Sequence, residues 1–126
     1  RMEAVNDKGN SIIMDAGVSD GGHDSGFRPM QLLLAALGGC SAIDLIAILR
    51  KQREPLNDVK ITVTGEREAG VVPALYTEAH IHFKLFGAVN HDKAERAVAL
   101  SVDKYCSVAK TLEKTAKVTY SFEIVA

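Results

Sequence analysis

Tryptophan is absent and aromatic residues make up only 6% of the chain, which leaves little with which to stack nucleobases or sugar rings. An excess of charge is absent too. The net charge is −1, so no field gathers nucleic acid or an anionic lipid surface, and neither partner is expected. The longest nearly uncharged run, Pro29 to Ile43, spans about 15 residues and meets Asp44 at once, too short and too interrupted for a membrane span. Arg1 to Asn10 is polar and charged rather than signal-like, and the expectation is a cytoplasmic protein. Only two cysteines occur, Cys40 and Cys106, and without a sign of export they read as free thiols or a transient bridge rather than a structural disulfide.

What is present is an ordinary globular composition, 47% apolar and 25% charged, in 126 residues, which fits one α+β domain over residues 1–126. Turn formers at Asn6-Asp7-Lys8-Gly9-Asn10 separate two short strands, with Asn and Gly supplying positive φ. Gly17 to Gly26 is a loop by composition, and Pro29 stands where a first helical residue belongs. From Pro29 to Gln52 apolar residues occupy nearly every side of a helical wheel, which predicts a helix whose first half is buried all round. Gly38-Gly39 in its interior costs about 1 kcal/mol per glycine and fits a close approach of another backbone. Glu54-Pro55 ends this helix.

Asp58 to Arg67 and Ala74 to Phe86 alternate with period two and predict strands of an antiparallel sheet covered on one side. In the second, Leu75, Thr77, Ala79, Ile81, Phe83 and Leu85 share one face, and Tyr76, Glu78, His80, His82 and Lys84 the other. Asn90 is placed to cap a helix from about His91 to Val102, a short helical segment follows over Ser107 to Lys114, and Val118 to Ile124 alternates as a last strand.

Two thiols carry the clearest chemistry. Cys40 sits inside the apolar helix, where a cysteine often only fills space. Cys106 lies at the predicted start of a short helix beside Lys104, where free N–H groups and a cation would lower a thiol pKa. Asp44, one helical turn after Cys40, would raise that thiol's pKa unless a cation pairs with it, and Arg28 could reach an anion near the first turn of the helix. His80 and His82 read as two solvated positions on an exposed strand face, and no metal is expected.

The stretches Arg28-Pro-Met-Gln-Leu-Leu-Leu-Ala-Ala-Leu-Gly-Gly-Cys40-Ser-Ala-Ile-Asp44 and Asp103-Lys-Tyr-Cys106-Ser-Val-Ala-Lys-Thr-Leu112 resemble the OsmC/Ohr family, in its YhfA-like branch, and the resemblance runs over essentially the whole chain. It implies antiparallel sheets wrapped around a long buried central helix, in an intertwined homodimer with two interface sites. It also implies that Cys40 attacks an organic hydroperoxide and Cys106 resolves the product, with an external dithiol as reductant and no cofactor. The resemblance breaks at Met30, where reductases of the family carry a glutamate that activates the thiol; Gln31 stands about 100° further round the helix, and Arg28 is not a secure match for the family's arginine. The thiol pair is kept and its activating shell is not. Two functions follow: a thiol-dependent hydroperoxide reductase in oxidative-stress defence, or a non-catalytic protein that binds or senses an apolar or thiol-reactive small molecule in the interface pocket. A third reading makes both cysteines plain core residues.

Overall fold

The computed structural model describes all 126 residues, and the chain forms two compact units, Arg1–Ala35 and Ala36–Ala126. In the first, β1 (Met2–Val5) and β2 (Ser11–Met14) make the expected antiparallel hairpin. Gly9 alone supplies the left-handed turn, at φ +84°. The asparagines act through side chains instead: Asn6 Oδ1 accepts from the amides of Lys8 and Asn10, at 3.0 Å each. Past β2 the chain loops through residues 17–26 and returns as Phe27, whose carbonyl and amide bond to Asp15 and Ile13 at 3.0 and 3.2 Å.

The helix α1 (Pro29–Lys51) begins at the proline, as predicted. Gln31 Oε1 accepts from the Arg28 amide at 3.0 Å, half of a capping box. At the other end Arg53 is left-handed, at φ +57°, while Glu54 and Arg53 amides bond back to Leu49 and Arg50, so a paired-hydrogen-bond cap stops the helix just before Pro55. The helix outruns the uncharged stretch and is long and apolar enough to cross a membrane, yet Leu37, Ser41, Leu45 and Leu49 form a stripe buried in protein.

Burial all round is not what a single chain achieves: Leu33 is 40% and Ile43 71% exposed. Gly38 sits against side chains of the sheet, not a backbone: a Cβ there would lie 2.9 Å from Val63 Cγ2, whereas Gly39 faces open space.

In the second unit β3 (Asp58–Arg67), β4 (Tyr76–Phe86) and β5 (Lys117–Val125) form one sheet with β4 central. The antiparallel expectation holds for β3–β4, but β5 joins β4 in parallel. The connection between them carries two helices, long enough for the crossover that a parallel pair requires. A second correction concerns the start of β4. A bulge pairs Arg67 with Tyr76 and Glu66 with Glu78, leaving Thr77 over, so the faces switch there. Tyr76 is therefore buried, while Leu75 and Thr77, expected inside, lie exposed.

From the bulge onward the alternation is as read: Ala79, Ile81, Phe83 and Leu85 are buried. Helix α2 (His91–Leu100), capped by Asn90 Oδ1 on the Lys93 amide at 3.0 Å, contributes buried Ala94, Ala97 and Val98. It runs into a wide π-helical turn, Ser101–Tyr105, rather than ending at Val102, and α3 (Ser107–Leu112) follows. The core lies between the Phe83 face of the sheet and these helices, and the π turn ends at Cys106.

Candidate active site

Cys106 is fully buried and caps α3, its Sγ accepting from the Ala109 amide at 3.3 Å. The placement at a helix start is the one the sequence indicated; the acidity is not. Burial pushes the Cys106 thiol up, the bonds from Ser41 and Ala109 pull down, and the neighbouring Cys40 pushes up again. The lysine expected to help does not face the sulfur: Lys104 Nζ lies 5.3 Å over the Tyr105 ring.

Ser41 was not singled out in the sequence. Fully buried on α1, it donates from Oγ to Cys106 Sγ at 3.3 Å, across 65 positions of chain. Its only sequence signal is adjacency to Cys40. Cys40 itself is half-buried, not joined in a disulfide, and near enough to Cys106 to push that thiol's acidity down. The structure thus brings two free thiols together, one partly accessible and one enclosed.

The other candidates divide. Arg28 and Gln31 belong to the first unit, where Arg28 pairs with Asp24 at 3.3 Å and Gln31 spends its carbonyl oxygen on the cap of α1. Asp44 is half-buried on α1. The π turn that delivers Cys106 is tied to the sheet by Tyr120, whose hydroxyl donates to Asp103 Oδ2 at 2.6 Å; this bond, with burial, pushes the phenol up to about 12.

The histidines are not simply solvated. His80 bonds Thr119 Oγ1 at 2.7 Å and Ser121 Oγ at 2.9 Å, and His82 Nδ1 bonds the same Ser121 Oγ at 2.7 Å, because parallel pairing sets β5 hydroxyls beside them. No group of three or more His, Cys, Asp or Glu side chains is arranged to hold a metal ion.

Two neighbouring free thiols are the groups that dithiol–disulfide exchange uses. The family model for OsmC-like proteins matches residues 22–121. Protein YhfA of Escherichia coli K12 is 43% identical over 119 residues, covering 94% of this chain and 85% of that protein. A hypothetical protein from Aquifex aeolicus VF5 has a similar structure at 32% identity, with a TM-score of 0.76 over 95% of this chain and 85% of that one. An organic hydroperoxide resistance protein OsmC from Legionella pneumophila shares the fold at 19% identity, with a TM-score of 0.74 over 96% and 88%.

Proposed function

Because the chain belongs to the OsmC-like protein family, where membership implies a redox or stress-response role, we propose that it reduces organic hydroperoxides through Cys40 and Cys106. One observation carries this reading: the half-buried Cys40 thiol lies beside a fully buried Cys106 that already accepts two hydrogen bonds. The accessible sulfur is the one a peroxide can meet. Cys40, as thiolate, attacks the O–O bond; the alcohol leaves with a proton, and Cys40 becomes a sulfenic acid. Cys106 then attacks that sulfur, its thiol proton departs with the sulfenic hydroxyl as water, and a disulfide forms. An external dithiol restores both thiols and is itself oxidised to a disulfide.

Exposed Ile43 and Leu33 on α1, and Met2, Val5 and Ile12 on the hairpin, support a homodimer in which a second copy covers these apolar surfaces, as the family resemblance implies. A cytoplasmic, thiol-reducing compartment suits two free cysteines. The test is turnover: the protein should consume cumene hydroperoxide at the expense of a dithiol, and Cys40→Ser should abolish this. Full activity in that variant would remove the mechanism.

Met30, where reductases of the family carry glutamate, favours a second reading, a non-catalytic protein holding an apolar or thiol-reactive molecule. Under it, native mass spectrometry of protein taken from cells shows a retained ligand or adduct, and hydroperoxide is not turned over.

A further inference from the structure

Ser41 is the group whose placement general packing does not explain. A hydroxyl on a helix often bonds back to a carbonyl one turn earlier, and two others in this chain do so: the buried Ser101 Oγ donates to Val98 O and the exposed Thr111 Oγ1 to Ser107 O, each at 2.9 Å. Ser41, fully buried on α1, turns its hydroxyl instead to Cys106 Sγ at 3.3 Å. A neutral thiol is a weak acceptor, so this bond adds little in the resting state. It strengthens when the sulfur carries negative charge, since a charge-assisted hydrogen bond is about twice as strong as a neutral one.

We propose that Ser41 is a positioning residue for the resolving step: its hydroxyl, with the Ala109 amide, orients Cys106 Sγ toward Cys40 and holds the charge that develops on it as the disulfide forms. This rests on the hydroperoxide reading above and adds to it the device that makes an enclosed thiol usable. In that step the Cys106 S–H bond and the Cys40 S–O bond break, the S–S bond forms, and water leaves; the two electrons have already passed to the peroxide. Ser41 keeps its proton throughout. Burial opposes ionisation of Cys106, and the bonds from Ser41 and Ala109 oppose burial, which is the balance such a device needs.

The test separates this role from simple packing. In single turnover with cumene hydroperoxide, with sulfenic acid trapped by dimedone and disulfide followed by mass, Ser41→Ala should slow disulfide formation about tenfold relative to sulfenic-acid formation. Ser41→Thr, which retains the hydroxyl, should restore much of the rate. In a Cys40→Ala background, the thiolate absorbance of Cys106 should titrate at higher pH in Ser41→Ala than with serine present. An unmoved titration, or equal slowing of both steps, would overturn the role of Ser41. A wild-type protein that forms no sulfenic acid or disulfide with hydroperoxide would instead overturn the underlying reductase reading, whatever the titration shows.

Discussion

Asp15 and Cys106 are both acids sealed from solvent, 2% and 0% exposed, and their acidities move in opposite directions. Asp15 accepts from the amides of Ala16, His23 and Ser25 at 2.9, 3.0 and 3.2 Å and from Ser25 Oγ at 2.7 Å. Led by the Ser25 hydroxyl, these donors hold its carboxyl well below the usual carboxylate range, against burial. Cys106 has two donors, both at 3.3 Å to sulfur, and burial wins. Burial opposes ionisation in both; the donors on the Asp15 carboxylate outweigh it, whereas at Cys106 it prevails with the neighbouring Cys40 adding to it. One acid is a permanent anion that staples the 17–26 loop; the other stays protonated at rest and close to a partner thiol.

The largest expected effect removes the second acid altogether. Cys106→Ser should abolish the intramolecular disulfide and leave a sulfenic acid on Cys40 that dimedone traps after one equivalent of hydroperoxide; an undiminished disulfide yield would break the contrast. Next is Asp15→Asn, which takes away the charge the loop donors surround. Because the folded carboxyl titrates below its unfolded value, its contribution is present above the unfolded value and is lost as pH falls through the folded one. Amide exchange at His23 and Ser25 should therefore quicken about tenfold or more in the variant at neutral pH, and the wild type's acid loosening of the loop should vanish.

Tyr120→Phe is the smallest change, costing about 1 kcal/mol for the lost bond to Asp103, read as a shift in the urea midpoint. The phenol's raised value places its contribution fully below the unfolded tyrosine pKa of 10.0, with loss as pH rises through about 12. Stability of the wild type should thus fall more steeply than that of the variant across that alkaline window. Equal slopes would mean that the π turn before Cys106 does not depend on this tie.

Features that depend on neighbours in sequence were legible beforehand. Gly9 makes the hairpin turn, Pro29 opens α1, Asn90 caps α2, and Cys106 falls at the start of α3, each through a signal within four residues. Features that depend on a distant partner were not. The bulge at Thr77 exists only relative to β3, and the histidines acquire hydroxyl partners only once β5 lies parallel beside β4. The same divide runs through the site. Both cysteines stood out by type and spacing, but the burial that raises Cys106 and the direction of the Ser41 hydroxyl come from α1 meeting α3 in the folded chain. Gln31 belongs with the local features: its cap on the Arg28 amide was visible in the three-residue spacing between them.

The most direct test of the paired-thiol claim is a thiol count with intact mass before and after one equivalent of organic hydroperoxide under native conditions. The proposed mechanism predicts rapid loss of both thiols and a decrease of about 2 Da per chain, the mass of the two hydrogens removed when one internal disulfide forms. Two unreacted thiols and an unchanged mass would contradict it.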